Sequence, residues 1–379
     1  MTLTFYNNYL NHHTVHIADE LYRTLGNSFH FVATLPFNKN EMKGGDDYSS
    51  RPYLLLASNN NASYEKAMSL ARESDVCLFF ACSQDFAIER AKQKDCGLSF
   101  EMGERWLKRG FVNIFSPNLI KWWLNYVRYF HRKPFYKLCC SGYAAADDRM
   151  LGAYRGRHYK WGYFTAVPGD FEIEVPKDEM KSTPRIMWCS RFLDWKHPEL
   201  PVMMAALLKQ KGYEFQLDMY GIGPKEDATQ QLIQQLDVED AVKMHGAQPN
   251  DKILLAMREH DIFLFTSDRF EGWGAVANES MANGCAIVAS NAIGSTPYLV
   301  KDGINGFVFE SENVESLTSK VEWLLNHPIE RYNIQCEARR TMTELWSPKK
   351  AAYALLTLIT DLQQKRGCSI KNGLCSEDN

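Results

Sequence analysis

Residues 185–309 alternate short apolar runs with amphipathic stretches, and this alternation constrains the fold more than any other feature of the chain. The apolar runs are RIMWCS, FQLDMYG, VKMHG, DIFLFTS, CAIVAS and GFVFE. Such runs are typical of parallel strands buried on both faces, and most of the segments between them have helical periodicity. The pattern predicts an α/β domain built on a parallel sheet.

The N-terminal half repeats this rhythm less clearly, with LTFYN, a helix near residues 16–25, FHFVATL and DVCLFFAC. A chain of 379 residues is long enough for two domains. We therefore predict an N-terminal domain over 1–167, a linker rich in proline and acidic residues over 168–184, and a second domain over 185–345. Ser347 as N-cap and Pro348 as first helical residue predict a helix over 346–366, followed by a frayed tail over 367–379.

The composition indicates a soluble globular protein, with 45% hydrophobic residues, 23% charged residues and a net charge of −3. This charge argues against a general nucleic-acid binder. No apolar run approaches the length of a membrane helix, and the N-terminus does not resemble a secretory signal. The ten cysteines include no Cys-x-x-Cys pair, which favours reduced thiols in a cytoplasmic protein.

The stretch FEGWGAVANESMANG places Glu271 and Glu279 on either side of a turn between a strand and a helix. The glycines at 272 and 274 permit close backbone approach, and a helix N-terminus favours an anion such as a diphosphate. Carboxylates would repel that anion, so they are better placed on sugar hydroxyls. Arg191 and Lys196, in the loop after RIMWCS, would supply cations at the same edge of the sheet.

The second half of the chain resembles the retaining glycosyltransferases of the GT-B fold, in the group called family 4. The matching motifs are SRFLDWK, MYGIGP, MHGAQPNDKILLAM, EGWGAVANE with its two glutamates, SMANGCAIVAS and GSTPYLVKDGINGFVF. The resemblance covers residues 185–309 and extends to WSPKKAA in the C-terminal helix. It implies an α/β GT-B fold, with two Rossmann-like domains facing each other across a cleft and the C-terminal helix crossing back to the first domain.

By position, the resemblance assigns the donor diphosphate to Arg191 and Lys196, the donor-sugar hydroxyls to Glu271 and the ribose to Glu279. The other donor-binding positions that it implies are Gly272, Trp273, Gly274, Ala275, His245 and Gly246. Arg191, Lys196 and Glu271 are the catalytic candidates, with Glu271 orienting the donor rather than attacking it. The co-substrate would be a UDP- or GDP-sugar, and we expect no other cofactor and no metal.

The implied reaction moves a sugar from this donor to a glycan or lipid-linked acceptor during synthesis of a cell-surface polysaccharide such as capsule or lipopolysaccharide. Two other enzymes of the same architecture, a nucleotide-sugar epimerase and a phosphorylase, remain open. A non-catalytic glycan-binding protein of this fold is a further alternative.

The loop after the first strand, YNNYLNHHTVH, contains no glycine, whereas the family usually has a glycine-rich loop there. Asn8, Asn11, His12 and His13 could instead serve acceptor hydroxyls through their side chains. The alternative is that this segment is a polar loop that caps the following helix.

Residues 105–161 carry twelve lysines and arginines against two aspartates, interleaved with many aromatic residues. This composition suits peripheral contact with an anionic membrane at the cytoplasmic face. Alternatively, the aromatic side chains pack in the core of the first domain and the cations lie in solvent. We expect no nucleic-acid partner, because no recognition module accompanies the charge.

Overall fold

The computed structural model describes residues 1–36, 47–173, 175 and 183–378. The chain forms two compact units, the first comprising Met1–Ala166 with Trp346–Asn379 and the second Val167–Leu345. Of the predicted linker, residues 174 and 176–182 lie outside the described residues.

The described residues of the first unit form a parallel sheet of seven strands in the order β3-β2-β1-β4-β5-β6-β7. The strands are β1 (Leu3–Asn7), β2 (Phe29–Ala33), β3 (Leu54–Leu56), β4 (Val76–Phe80), β5 (Leu98–Gly103), β6 (Phe135–Cys139) and β7 (His158–Lys160). All five residues of β1 are buried, as expected for a central strand covered on both faces. The strand order reverses between β1 and β4, which makes their carboxyl ends the switch point of this sheet.

The helices in the described part of the first unit are α1 (Val15–Leu25), α2 (Asn61–Glu73), α3 (Gln84–Lys92), α4 (Pro117–Asn125), α5 (Ala144–Met150) and, from the C-terminus, the helix Pro348–Gln363. The C-terminal helix packs against α1, as predicted. Its N-cap is Ser347, whose hydroxyl accepts a hydrogen bond from the Lys350 N–H at 3.3 Å.

The tail after the C-terminal helix is ordered, so the prediction of a frayed tail over 367–379 is wrong for the described residues 367–378. The Lys160 N–H donates to the Ser376 carbonyl at 2.9 Å, and the Cys375 N–H donates to the Lys160 carbonyl at 2.8 Å. The tail thereby covers the edge strand β7, and Cys375 is fully buried. Its polar sequence gave no sign of this backbone pairing.

In the part of the second unit that the structure describes, six strands form a parallel sheet in the order β10-β9-β8-β11-β12-β13. The strands are β8 (Arg185–Cys189), β9 (Gln216–Tyr220), β10 (Val242–Met244), β11 (Ile262–Phe265), β12 (Ala286–Ser290) and β13 (Gly306–Phe309). The helices are α6 (Glu199–Gln210), α7 (Glu226–Gln235), α8 (Asn250–Arg258), α9 (Val276–Ala282), α10 (Thr296–Leu299), α11 (Val314–Asn326) and α12 (Pro328–Arg340), so the C-terminal helix is α13.

Apolar side chains of β8, β9 and β11 pack with those of α6 and α11 into the core of the second unit. This core confirms that the apolar runs of the sequence are strands covered by helices. In the described part of the chain, no helix is both long enough and apolar enough to span a membrane.

Candidate functional site

The strand order of the second sheet reverses between β8 and β11. Ligands of open α/β sheets bind outside the carboxyl ends of the strands at such a switch point. Arg191 and Lys196 follow β8 directly, and Glu271 lies in the segment between β11 and α9. The structure therefore brings the three predicted catalytic residues to one edge of one sheet.

Hydrogen bonds tie the loop after β8 to the loop after β11. The Thr266 hydroxyl donates to the Lys196 carbonyl at 2.7 Å, and the Asp268 N–H donates to the Trp195 carbonyl at 3.0 Å. The Thr266 hydroxyl also accepts from the indole of the buried Trp188 at 2.9 Å. These bonds fix the position of Lys196 through its own backbone, before any ligand is present.

Lys196 and Glu271 form a buried ion pair. The Lys196 ammonium donates to Oε2 of Glu271, and the Ser267 hydroxyl donates to the same oxygen at 3.2 Å. The ammonium also lies 4.2 Å from the centre of the Trp195 ring. Both side chains are about nine-tenths buried, with 10% and 11% of their surface exposed. The resemblance assigned Lys196 to the diphosphate and Glu271 to the sugar of the donor. In the structure these two side chains hold each other in place.

Gly274 stands against this pair with φ at +79°, in the left-handed region that favours glycine. A Cβ atom at this position would lie 2.2 Å from Cζ of Phe265 and 3.1 Å from Cδ of Glu271. The glycine therefore permits the close approach of backbone to carboxylate that shapes the site.

We expect Gly274→Ala to destabilise the second unit and displace Glu271. The strained backbone and the steric clash together should cost roughly 2–4 kcal/mol of unfolding free energy. Thermal unfolding of the variant beside Gly246→Ala provides the test. Gly246 also has a positive φ, +64°, but a Cβ there would meet no atom within 4 Å. Equal losses for the two variants would show that backbone strain alone matters.

The Trp273 side chain packs inside the second unit. Its indole is fully buried and donates from Nε1 to Oδ1 of Asn278 at 2.8 Å. Of the predicted donor-binding positions in this turn, Trp273 can offer a ligand only its backbone. The sequence alone could not separate these roles, because an aromatic residue between two glycines is compatible with either.

Glu279 lies in α9 beside the end of β8. Burial raises the pKa of its carboxyl group from 4.5 to about 7. In the described part of the chain, the Glu279 carboxylate makes no hydrogen bond and no ion pair. The neighbouring Cys189 thiol has a pKa raised to about 12, first by its own burial and then by the charge of Glu279, while Lys196 lowers it. Both Glu279 and Lys196 therefore lie close to the end of β8.

The Arg191 side chain is exposed at the start of the same loop. Over residues 1–36, 47–173, 175 and 183–378, its guanidinium has neither an ion-pair partner nor a hydrogen bond. A cation fixed in place only at its backbone is available to an anionic ligand.

The predicted donor-binding residues His245 and Gly246 follow β10, and the His245 side chain is hydrogen-bonded to Asp218. The His245 ring stacks on Tyr220 with centroids 4.6 Å apart, and its Nε2 lies 2.6 Å from Oδ1 of Asp218. The Gly221 N–H donates to the Gly246 carbonyl at 2.8 Å. Although burial raises the pKa of Asp218, hydrogen bonds from His260, His245 and an arginine lower it well below its usual value. Sequence analysis missed this network, whose members are far apart along the chain.

Among the described residues, one cluster could hold a metal ion: ligand atoms of His197, Asp268 and Glu312 lie within 4.8 Å of one another. His197 also pairs through Nδ1 with Glu199 at 2.7 Å, and this hydrogen bond is the main cause of the raised pKa of its imidazole. The other ring nitrogen, Nε2, lies 3.5 Å from Oδ2 of Asp268. The expectation of a metal-free enzyme stays a prediction.

In the first unit, the predicted acceptor residues follow β1 at the switch point. The Asn8 Oδ1 accepts from the Tyr9 N–H at 2.8 Å, and the Asn11 Oδ1 accepts from the His13 N–H at 3.0 Å. Both asparagines therefore shape the loop, and their role toward an acceptor stays a prediction. The rings of His12 and His13 lie 3.8 Å apart, and His13 is 5.6 Å from the ring of Tyr163.

A cavity of about 970 Å³ lies at the carboxyl ends of β4 and β5, beside Phe135 and Lys137 of β6, and Tyr163 lines it. The Tyr163 hydroxyl donates to Glu104 at 2.6 Å. Glu101, at the floor, accepts from Trp122 and Lys137, each at 2.8 Å. Aromatic faces beside carboxylates and ammonium groups are suited to sugars and their phosphates. The sequence did not reveal this cavity, because its lining is spread over residues 79–163.

Comparison with known proteins agrees with the geometry of the second unit. Residues 170–341 match the family model described as glycosyl transferases group 1. The matched residues include most of the second unit, which is therefore similar to this family. The narrower assignment to family 4 stays a prediction.

Relatives of this chain include the amylovoran biosynthesis glycosyltransferase AmsK of Erwinia amylovora. It is 27% identical over 157 residues, which are 40% of this chain and 38% of AmsK. An uncharacterized glycosyltransferase of Haemophilus influenzae is 31% identical over 144 residues, 38% of this chain and 40% of that protein. The chain thus spans well under half the length of these relatives.

Among solved structures, HepE of Anabaena in complex with UDP superposes with a TM-score of 0.66 at 16% identity, covering 96% of this chain and 99% of HepE. The lipopolysaccharide outer core galactosyltransferase WaaB superposes with a TM-score of 0.66 at 15% identity, covering 94% of this chain and 99% of WaaB. These likenesses include both units, so the predicted GT-B fold is confirmed.

Proposed function

We propose that this protein is a retaining glycosyltransferase that moves a sugar from a nucleoside-diphosphate sugar to a glycan or lipid-linked acceptor in cell-surface polysaccharide synthesis. The observation that carries the proposal is the buried Lys196–Glu271 pair, with Arg191 in the same loop as Lys196 and Glu279 in the helix that follows Glu271. The two cations suit a diphosphate, and the two carboxylates suit hydroxyls on either side of it.

Stabilisation of the leaving group is the main chemical task of such an enzyme. Negative charge grows on the diphosphate as the glycosidic bond breaks, and Lys196 and Arg191 would offset that charge. Lys196 is held by Glu271 and by the Thr266 hydroxyl, so little reorganisation accompanies the reaction. Glu271 is already committed to Lys196, which favours its role as an orienting group over that of a nucleophile.

Named relatives support the polysaccharide setting. They include the putative colanic acid biosynthesis glycosyltransferase WcaL and the poly(ribitol-phosphate) alpha-N-acetylglucosaminyltransferase of Staphylococcus aureus. HepE was also solved with UDP and glucose, which supports a UDP-sugar donor here. For residues 105–161 we retain the proposal of peripheral membrane contact.

A thermal-shift screen against UDP-, GDP-, ADP- and TDP-sugars tests the donor class. A ligand at 100 times its dissociation constant stabilises the native state by about 2.7 kcal/mol, which is a shift of a few degrees. We expect one nucleotide series to raise the melting temperature and the others to leave it unchanged. The absence of a shift with all four would contradict the proposal.

We expect Arg191→Ala to weaken binding of the nucleoside diphosphate by about tenfold to a hundredfold, because one charge-assisted contact is worth about 1.5–3 kcal/mol. Stability should not change, since the guanidinium is exposed. Calorimetric titration measures the loss. Arg340→Ala is the matched control, because this exposed arginine of the same unit pairs with Glu337 and Glu344 on its own helical segment.

A further inference from the structure

The apolar residues of 105–161, aromatic and aliphatic, include a buried group and an exposed group in the structure. Trp122, Tyr126, Phe130 and Phe135 pack in the core of the first unit, as one of the two sequence interpretations predicts. The apolar residues between Gly110 and Arg128 include a second, exposed group: Phe111, Val112, Ile114, Phe115, Ile120, Trp123, Leu124 and Val127.

Helix α4 and the helical turn on each side of it are therefore apolar on both faces. Leu119 and Trp122 point into the core, whereas Ile120, Trp123 and Leu124 point outward. In the preceding turn, Phe111 is 68% and Phe115 is 80% exposed. A contiguous apolar surface of this kind is rare on a protein that has no partner for it. We call these outward-facing residues, with the cations beside them, the 110–128 surface.

The charge around this surface has one sign. The chain contains no aspartate or glutamate between Arg105 and Ala146, while Lys121, Arg128 and Arg132 are exposed there. Exposed aromatic and aliphatic side chains beside lysine and arginine suit the boundary between headgroups and hydrocarbon in an anionic bilayer. A protein partner would need an apolar patch with acidic groups beside it. An anionic bilayer offers hydrocarbon and negatively charged headgroups over its whole area.

The 110–128 surface adjoins the cavity of the first unit. A groove of about 680 Å³ on α4 is lined by Ile120, Leu124 and Val127 together with Lys121 and Asn125. Lys121 and Asn125 also line the larger cavity that contains Glu101, Glu104 and Tyr163. The polar cavity and the apolar groove are therefore adjacent, and the Lys121 and Asn125 side chains line both of them.

We propose that the 110–128 surface docks on an anionic bilayer and that the acceptor is a lipid-linked saccharide whose hydrocarbon chain leaves the cavity along the α4 groove. The polar head of such a molecule would occupy the cavity between Glu104 and Lys121, at the carboxyl ends of the strands. This inference rests on the proposed glycosyltransferase function and specifies its acceptor class.

Vesicle co-sedimentation tests the docking. We expect the wild-type chain to bind vesicles of phosphatidylcholine with 30% phosphatidylglycerol about tenfold more tightly than vesicles of phosphatidylcholine alone, with salt weakening the difference. The double variant Phe111→Asp/Phe115→Asp should lose about tenfold or more in binding. Leu255→Asp, at an exposed apolar residue of the second unit, should bind like the wild type.

The same variants separate this inference from the proposed function. Phe111→Asp/Phe115→Asp should keep the melting temperature and the nucleotide-induced thermal shift, since both side chains are exposed and belong to the first unit. Equal vesicle binding by wild type and the double variant, or no binding by either, would overturn the inference and leave donor binding untouched. Self-association of the wild type in ultracentrifugation without lipid, abolished by Phe115→Asp, would also overturn it, because the surface would then join two copies of the chain.

Discussion

Glu271→Ala is expected to abolish turnover and to destabilise the second unit as well. The substitution leaves the Lys196 ammonium buried without its partner, and breaking a buried ion pair typically costs about 3–5 kcal/mol. Loss of activity in this variant alone would therefore confound a role in catalysis with a role in folding.

A variant that replaces both members of the pair separates the two roles. Lys196→Met/Glu271→Leu removes both charges and fills a similar volume, so most of the lost stability should return. Turnover should remain at least about a thousandfold below wild type, because both the leaving-group cation and the donor-orienting carboxylate are missing. Denaturant unfolding and nucleoside-diphosphate release measure the two quantities.

The conservative variant Glu271→Gln completes this comparison. It keeps an oxygen acceptor for Lys196 and Ser267, so the fold should survive while the charge that orients the donor is lost. Wild-type turnover in either Glu271→Gln or the double variant would show that the pair is structural only.

The second large effect is expected from Glu279→Gln, which should stabilise the free protein at pH 8 and weaken donor binding. The pKa of this carboxyl group is about 7 in the folded chain, compared with 4.5 for a glutamate that is fully solvated, as in the unfolded chain. Between these values the native state binds more protons than the unfolded state, so the contribution of Glu279 to stability falls as the pH rises. Above pH 7 the full cost of the buried charge, about 3 kcal/mol, is present.

Glutamine carries no charge and escapes that cost. Relative to wild type, Glu279→Gln should gain up to about 3 kcal/mol at pH 8 and almost nothing at pH 4. Donor affinity of the wild type should rise from pH 6 to pH 8 as the carboxylate ionises to accept ribose hydroxyls, and the variant should lack this rise. Thermal unfolding and calorimetric titration across this pH range check both expectations. A pH-independent stability difference would contradict the account.

The sequence predicted the second unit well because its physical signals are local. Buried parallel strands are recognised in the sequence as short apolar runs. The loops after β8 and β11 lie side by side in the sheet. Arg191, Lys196 and Glu271 could therefore be grouped by their positions after these strands. The direct contact between Lys196 and Glu271 could not be predicted, because it depends on side-chain conformation across two loops.

The first unit shows the opposite case. Its cavity combines Glu101, Glu104 and Tyr163 from segments that carry no motif, and only the folded sheet brings them together. The division of residues 105–161 into core and surface depends on which face of α4 meets the sheet. Periodicity cannot decide this, since α4 is apolar on both sides.

A crystal structure of the chain with the nucleoside diphosphate that gives the largest thermal shift tests the central claim most directly. We predict that the diphosphate lies within hydrogen-bond reach of Arg191 and Lys196 after β8, with the ribose hydroxyls on Glu279. A diphosphate bound elsewhere, whether near Asp218 and His260 or in the cavity of the first unit, would contradict this assignment of the site.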